Sequence, residues 1–260
     1  MSKSNGLEGR RARIGVVIPS TNTSVEADYN DLRPDNVTLH TARIFINTSI
    51  DSDDKAQETL RQIREGSEKA IHDVCTCRPD HLIMGMSSET FVGGLEGSRA
   101  LTKRMEEWSG LNVSTGSEAT SQVLEMIGAK RIAALTPYQP TIDAQVERYF
   151  DDLGYELAAM KSLRCPTATS IADVTGDEIL DAIAELEENA DGDFDAFVQA
   201  GTNLSSWRVA NEVEKRTGKP LIGINAATLW HALGALGLEQ SLPQAGSVFA
   251  GSGAAAGKGG

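Results

Sequence analysis

The chain repeats one order of strands and helices in its two halves, and this repeat constrains the fold more than any other feature. Residues 13–19 read RIGVVIP and residues 131–137 read RIAALTP, 131 − 13 = 118 positions later. Two further pairs of segments follow in the same order, at 80–85 and 195–200 and at 119–128 and 227–236. Matches that agree in order and spacing predict an internal duplication. The alternative is two unrelated series of strand–helix units, which would share part of this pattern.

Short runs of β-branched residues alternate with helical patterns along the whole chain. The predicted strands are residues 14–18, 37–42, 81–84, 112–114, 132–135, 194–198 and 221–224. The predicted helices are residues 55–73, 97–108, 119–127, 142–153, 176–189, 206–217 and 227–236. Such alternation is typical of parallel sheets that are covered by helices.

The duplication predicts an α/β protein of two pseudo-symmetric, Rossmann-like domains, each with a parallel sheet, and a ligand site between them. We expect the first domain to comprise residues 10–118 together with residues 226–242, and the second to comprise residues 119–225. Residues 1–9 and 243–260 are expected to be flexible tails, because they offer little apolar surface to offset the entropy of ordering.

Charge and cysteine content exclude several classes of protein. With 24 Lys and Arg against 37 Asp and Glu, the net charge is −13, which argues against nucleic-acid or anionic-membrane partners. No run approaches the roughly 18 apolar residues of a membrane span, and the N-terminus lacks the apolar segment of a signal peptide. Three scattered cysteines are too few for a disulfide framework. We therefore expect a soluble, cytoplasmic protein.

The loops after four predicted strands are rich in small hydroxyl and amide side chains. These loops are residues 19–23 (PSTNT), 86–90 (MSSET), 136–138 (TPY) and 201–203 (GTN). Ligands of parallel sheets bind at the carboxyl ends of the strands, where helix N-termini present free N–H groups. The four loops therefore predict a cradle for a small carboxylate that needs no Lys or Arg. For any one loop, capping of the following helix is the better explanation, and it is the presence of four such loops at equivalent strand ends that favours the cradle.

Neither a cofactor nor a metal is indicated. The chain has no Gly-rich phosphate loop of either nucleotide-binding type. Cys75 and Cys77 lie near His72 and His81, but they lack the paired spacing of structural zinc sites, so we assign this segment a structural role. We likewise interpret His231, within a predicted helix, as a packing or surface residue.

The motifs named above resemble the maleate isomerase and arylmalonate decarboxylase group of the Asp/Glu racemase superfamily. Residues 14–26 (IGVVIPSTNTSVE) look like the first strand and substrate-carboxylate loop of maleate isomerases. Thr136-Pro137-Tyr138 looks like the second-domain loop, in which the Tyr contacts substrate, and residues 212–220 look like the helix and turn after the second catalytic loop. The resemblance implies two pseudo-symmetric four-stranded domains and cofactor-independent proton or adduct chemistry that uses a cysteine from one or both halves.

This chain departs from the resemblance at the cysteines. The Cys-Thr-Ser-like turn of the first half is Met86-Ser87-Ser88 here, and the Cys-Thr-Asn-Leu pattern of the second half begins at Gly201. A thiolate can abstract a proton or attack an alkene, whereas a thioether or a glycine cannot. Two-base racemisation and thiolate-assisted isomerisation are therefore disfavoured. Cys165 precedes the segment that lines the family's second-domain pocket, so it cannot be assumed to replace the missing thiols.

The polar loops still supply a candidate site. Glu89 is the predicted general acid–base, because partial burial would raise its pKa, although it could instead be an acidic residue that favours a helix start. The predicted catalytic set is completed by Ser87, Ser88 and Tyr138, and the predicted substrate-binding set is Thr21, Asn22, Met86, Gly201, Thr202 and Asn203. Ser87, Ser88 and Thr202 could form an oxyanion hole, and Gly201 could leave room for a water or a bulky substituent.

The resulting hypothesis is a cofactor-independent lyase or isomerase-like enzyme that acts on a small carboxylic acid by decarboxylation, hydration or enolisation. One alternative is a hydrolase in which a water above Gly201 opens an amide, imide or lactone. Another is a non-catalytic carboxylate-binding protein that kept the cradle. A homo-oligomer is expected by analogy with similar folds.

Overall fold

A computed structural model describes residues 12–47 and 52–251, which form two parallel four-stranded sheets. The first sheet has the order β2-β1-β3-β4 and comprises β1 (Ala12–Pro19), β2 (Val37–Ile44), β3 (His81–Met84) and β4 (Val113–Thr115). The second has the order β6-β5-β7-β8 and comprises β5 (Arg131–Thr136), β6 (Glu156–Ser162), β7 (Ala196–Gln199) and β8 (Leu221–Gly223). The two orders are equivalent, so the predicted α/β class with two similar parallel sheets is confirmed.

Nine α-helices connect and cover the strands of the described chain. They are α1 (Val25–Leu32), α2 (Asp53–Cys75), α3 (Ser88–Phe91), α4 (Gly94–Ser109), α5 (Gly116–Met126), α6 (Pro140–Asp152), α7 (Gly176–Asn189), α8 (Trp207–Thr217) and α9 (Ile224–Ala235). Their ends follow local rules. Thr175 and Glu178 form a capping box at the start of α7, and α8 ends at Gly218, whose positive φ of 73° favours glycine. None of these helices has the length and apolar character to cross a membrane.

The central strands of both sheets are buried because helices cover the faces of each sheet. Residues 14 and 16–18 of β1 are at most 1% exposed, which explains why the strand is a nearly continuous apolar run. Between the sheets, Phe91 of α3 packs edge-on against Tyr149 of α6 at a ring-centroid separation of 5.3 Å, and Tyr149 packs likewise against Phe150 at 5.4 Å. These aromatic contacts hold the loop after β3 against the second half of the molecule.

The last helix does not cover the sheet that precedes it. Helix α9 follows β8, yet it packs on β3 and β4 of the first sheet and on α5. The chain therefore returns to its first half after completing the second sheet. The exact division at residues 118 and 225 stays a prediction.

Three elements were not predicted from the sequence, and one tail was assigned wrongly. Strand β6 was missed because it is a half-buried edge strand whose middle is Ala-rich, and α1 and α3 were missed because they are short. The tail predicted from residue 243 is wrong as far as residue 251, since two 3₁₀ turns (Pro243–Ala245 and Ser247–Phe249) bury Phe249 completely. Residues 1–9 and 252–260 lie outside the described chain.

Candidate functional site

One cavity lies where the loops of the two sheets meet. Its volume is about 690 Å³ including the opening to solvent. The loops that follow β1, β3, β5 and β7 all contribute to it, as expected for the carboxyl ends of parallel strands. The predicted site residues that line it are Thr21, Asn22, Met86, Ser87, Ser88, Tyr138, Gly201, Thr202 and Asn203.

A buried hydrogen-bond network joins the two halves across this cavity. The backbone N–H of Thr202 donates to Oγ of Ser87 over 3.0 Å. The hydroxyls of Ser87 and Tyr138 are also hydrogen-bonded to each other, and Tyr138 donates to the carbonyl of Ala200 over 3.1 Å. Because Tyr138 uses its proton for Ala200, Ser87 is the donor in the pair with Tyr138. Burial raises the pKa of Tyr138 well above its ordinary value, so its phenol is protonated at neutral pH.

The two asparagines of the site are held by the backbone. Oδ1 of Asn22 accepts from the N–H groups of Ser24 and Val25, at 3.1 and 3.0 Å, and so caps the start of α1. Oδ1 of Asn203 accepts from the N–H of Thr23 over 2.8 Å and from that of Ser24 over 3.1 Å. The bonds of Asn22 fit the capping interpretation, whereas those of Asn203 tie the second half of the chain to the first.

Backbone donors remain available at the cavity. In the described chain, no backbone or side-chain acceptor takes up the N–H groups of Thr21, Ser87, Ser88 and Asn203. All four residues line the cavity, and Ser88 begins α3, where helical N–H groups have no partner within the helix. Such N–H groups suit the oxygens of a carboxylate.

Apolar side chains that the sequence does not predict for the site also line the cavity. Leu60 and Ile63 of α2 contribute to it, together with Ile142 and Ile171 from the second half. In the sequence, α2 has the apolar spacing of any helix that packs on a sheet, so nothing distinguished its cavity-facing residues from core residues. Among the described residues that line the cavity, none carries a charge or a thiol.

Glu89 is not among the cavity-lining residues. It is 7% exposed, and both of its carboxylate oxygens face the guanidinium of Arg64 on α2, with Oε2 lying 3.3 Å from Nη2. Burial raises the pKa of Glu89, and the ion pair with Arg64 opposes that rise. The geometry gives Glu89 a bond between α2 and α3 and no support for the predicted acid–base role.

The two positions that resemble the family's cysteines differ in their surroundings. Met86 is 2% exposed, belongs to the core and lines the cavity. At Gly201 the expected open space is absent, since an added Cβ would lie 2.5 Å from Cγ and 2.6 Å from Cδ of Pro137. The prediction that Gly201 leaves room for a water or a bulky group is therefore wrong, because the ring of Pro137 fills that room.

Cys165, His81 and His231 do not line this cavity. Cys165 is buried beside a separate groove, and burial raises the pKa of its thiol. Within residues 12–47 and 52–251, no group of three or more His, Cys, Asp or Glu side chains is arranged to hold a metal. His81 and His231 instead share the hydroxyl of Ser114, with Ser114 Oγ lying 2.7 Å from Nε2 of His81 and 2.6 Å from Nδ1 of His231.

The chain is similar to known proteins over most of its length. The family described as arylmalonate decarboxylase matches residues 14–249. A maleate isomerase from Pseudomonas putida is 25% identical over 251 residues, which cover 92% of this chain and 97% of that protein.

Solved structures of similar proteins share the fold. One is a cysteine-to-serine mutant of the Nocardia farcinica maleate cis-trans isomerase with a covalently bound succinylcysteine intermediate; its TM-score is 0.83 at 22% identity, covering 92% of this chain and 98% of that one. A structure of arylmalonate decarboxylase has a TM-score of 0.72 at 21% identity, covering 91% of this chain and 98% of that one.

The family match spans both sheets and every loop that lines the cavity. The structural likeness extends over the same two-sheet architecture. The chain therefore belongs to the arylmalonate decarboxylase family and is an enzyme of the isomerase or lyase type.

Proposed function

We propose that this enzyme decarboxylates a small malonate-type acid that carries one apolar substituent, and that it does so without a cysteine. The observation that carries this proposal is the composition of the cavity, whose lining combines residues with unbonded backbone N–H groups and apolar side chains, with no charged residue among them. The N–H groups of Ser87 and Ser88 suit one carboxylate of the substrate. The second carboxylate then lies against apolar side chains without a counter-charge.

This arrangement favours loss of carbon dioxide. A carboxylate that is desolvated without a partner is unstable, and its departure as neutral CO₂ removes the unfavourable charge. The bond between C2 and the leaving carboxylate breaks, and its electron pair passes into the remaining carboxylate to give an enediolate. The N–H groups of the loop after β3 stabilise the negative charge on the enediolate oxygens.

Tyr138 supplies the proton that completes the reaction. Its phenol lines the cavity, stays protonated at neutral pH because burial raises its pKa, and is oriented by Ser87 and the carbonyl of Ala200. When the phenolic O–H turns from the carbonyl of Ala200 towards C2 of the enediolate, transfer of its proton gives the monocarboxylic acid. The phenolate then regains a proton from water, so that one substrate and one proton yield one CO₂ and one product.

The test is incubation of the purified protein with phenylmalonate and, separately, with maleate. We expect equal amounts of CO₂ and phenylacetate from phenylmalonate, one deuterium at C2 when the solvent is D₂O, and no fumarate from maleate. Tyr138→Phe is expected to lower kcat by about 100-fold or more. The matched control is Tyr149→Phe, which removes the hydroxyl of a buried tyrosine outside the cavity and is expected to keep most of the activity.

The same experiment decides between this proposal and the alternatives. The hydrolase required a water above Gly201, and that position is taken by Pro137. A carboxylate that raises the melting temperature but is recovered unchanged would favour a binding protein. No CO₂ from a panel of substituted malonates, or full activity of Tyr138→Phe, would contradict the proposal.

A further inference from the structure

Asp28 is a buried carboxylate that bonds to three later parts of the chain. It lies on α1, is 2% exposed and is not among the residues that line the cavity. Its Oδ1 accepts from Oγ of Ser205 over 2.7 Å and from Nε1 of Trp207 over 3.0 Å. Its Oδ2 accepts from Nδ2 of Asn225 over 2.7 Å. Both oxygens therefore act as acceptors, as those of an ionised carboxylate do.

Asn225 connects Asp28 to the cavity. Its Nδ2 also donates to the backbone carbonyl of Thr202 over 2.9 Å. Thr202 lines the cavity, and its N–H donates to Oγ of Ser87, which is bonded to the hydroxyl of Tyr138. Hydrogen bonds and the backbone of Thr202 thus link the carboxylate of Asp28 to the phenol that is proposed to donate the proton.

Two acceptors fix the orientation of the Asn225 amide. Both of its bonds come from Nδ2, whereas its Oδ1 is buried and has no partner in the part of the chain that the structure describes. An unsatisfied buried carbonyl is costly. Rotation of the amide by 180° would nevertheless be worse, because it would place Oδ1 against Oδ2 of Asp28 and the carbonyl of Thr202. The bond to Thr202 therefore depends on the carboxylate of Asp28.

We infer that Asp28 is a positioning residue that holds the phenol of Tyr138 in place for proton transfer. It does so by keeping Nδ2 of Asn225 turned towards the carbonyl of Thr202. This inference rests on the proposed function for the role of Tyr138. It adds a requirement outside the cavity, namely a carboxylate at position 28 that accepts on both oxygens.

The variant Asp28→Asn separates this role from a contribution to stability. The new amide can keep its oxygen on Ser205 and Trp207 and turn its nitrogen towards Asn225. The amide of Asn225 should then rotate to accept from it and lose its bond to Thr202. We expect little change in melting temperature, because removal of a buried charge offsets the lost hydrogen bond.

Activity is measured with phenylmalonate and with methylphenylmalonate, whose product 2-phenylpropionate is chiral. In Asp28→Asn we expect kcat to fall about 10-fold with KM almost unchanged, because the N–H groups of Ser87 and Ser88 still hold the substrate carboxylate. The enantiomeric excess of 2-phenylpropionate should fall as well, because water then protonates either face of the enediolate. A purely structural role of Asp28 would leave this excess unchanged.

A second measurement does not depend on turnover. The chain contains four tyrosines. Labelling their phenolic carbon with ¹³C gives four NMR signals, which Tyr→Phe variants assign. Asp28→Asn should shift the signal of Tyr138 and leave that of Tyr149 unchanged.

Asn225→Ala and Ser205→Ala form a matched pair of further variants. Asn225→Ala removes the donor to Thr202 and should reproduce the lower kcat and the shifted Tyr138 signal. Adding Asp28→Asn to it should lower kcat no further, because Asp28 acts through Asn225. Ser205→Ala removes a bond to the other oxygen of Asp28 and should keep the native kcat, enantiomeric excess and Tyr138 signal.

The outcomes distinguish this inference from the function on which it rests. If the native protein decarboxylates both malonates and Asp28→Asn keeps its kcat and enantiomeric excess, the role of Asp28 is overturned while the proposed function stands. An equal loss of activity in Ser205→Ala contradicts the route through Asn225. If the native protein releases no CO₂, the proposed function fails and proton transfer falls with it. The placement of Tyr138 by Asp28 is then overturned if its NMR signal does not shift.

Discussion

Ser87 accepts a hydrogen bond of 3.0 Å from the backbone N–H of Thr202, a residue 115 positions later in the other half of the chain. The same hydroxyl is bonded to that of Tyr138, which also belongs to the second half. A single side chain thereby sets the relative position of the loops after β3, β5 and β7. The site depends on the junction of the two halves as much as on either sheet.

Replacing Ser87 with alanine tests this junction. Ser87→Ala leaves the N–H of Thr202 without its acceptor in a buried position, which is expected to lower the free energy of unfolding by about 1–3 kcal/mol. Turnover should fall as well, because the phenol of Tyr138 loses a bond that orients it. The control is Ser88→Ala, whose half-buried side chain makes no hydrogen bond in the described chain and whose loss should barely affect stability. Urea unfolding measures the stability of both variants. Equal free energies of unfolding would contradict a stabilising bond between Ser87 and the N–H of Thr202.

The contact of Gly201 with Pro137 predicts a coupled effect of two substitutions. Gly201→Ala introduces a Cβ at 2.5 Å from the proline ring, and overpacking of this kind is expected to cost about 1–3 kcal/mol. Pro137→Ala removes the obstructing ring atoms. In the double variant, the cost of the alanine at position 201 should be largely recovered, and a double-mutant cycle of urea midpoints measures this coupling. Strictly additive effects would show that the ring does not limit the site. A thiol at position 201 should accordingly be tolerated only together with Pro137→Ala.

From the ion pair of Arg64 with Glu89 we expect a structural role for Glu89, in contrast to the acid–base role predicted from the sequence. Arg64→Met leaves the buried carboxylate of Glu89 without its partner, and we expect a loss of about 1–3 kcal/mol, reduced from the fully buried case because Arg64 is half-exposed. Adding Glu89→Gln should recover part of it, because no buried charge then remains. Glu89→Gln alone should keep kcat within several-fold of the native value. Lost turnover at unchanged stability would instead establish Glu89 as the acid–base.

The pair of His81 and His231 predicts how stability depends on pH. Burial, with a smaller contribution from His231, lowers the pKa of His81 from 6.5 to about 4. The folded chain therefore binds this proton less tightly than the unfolded chain, so His81 stabilises the fold above pH 6.5 and that contribution is lost as pH falls towards 4. The expected loss from this residue is about 2–4 kcal/mol.

In His81→Asn, the free energy of unfolding should fall less between pH 6.5 and pH 4 than in the native protein, as measured by urea unfolding at each pH. The control is the same substitution at His72, which is exposed on α2. Parallel profiles for the native protein and His81→Asn would show that burial of this imidazole is not coupled to folding.

Much of the fold could be predicted because its determinants are local. Each predicted strand and helix corresponds to an element of the described chain, since β-branched runs and helical spacing are set by neighbouring residues. The packing of residues 243–249 could not be predicted, because the small and polar residues around Phe249 resemble a tail until the partners of its ring, such as Trp230 at 6.4 Å between centroids, are known.

In the site, too, features set by local sequence could be predicted, and features set by packing between distant elements could not. The loops after the strands were identifiable because parallel strands bring their carboxyl ends to one edge. The pairing of Glu89 with Arg64 and the filling of the space at Gly201 by Pro137 depend on side chains from other elements.

The return of α9 to the first sheet has a consequence for synthesis of the protein. The ribosome completes β4 at Thr115, but the helix that covers part of β3 and β4 begins only at Ile224, 224 − 115 = 109 residues later. At about 5–20 residues per second, α9 is synthesised roughly 5–20 s after β4, and until then it cannot cover that apolar face. A chain that ends between β8 and Ile224 therefore has the strands of both sheets but lacks the helix that covers this face of the first sheet.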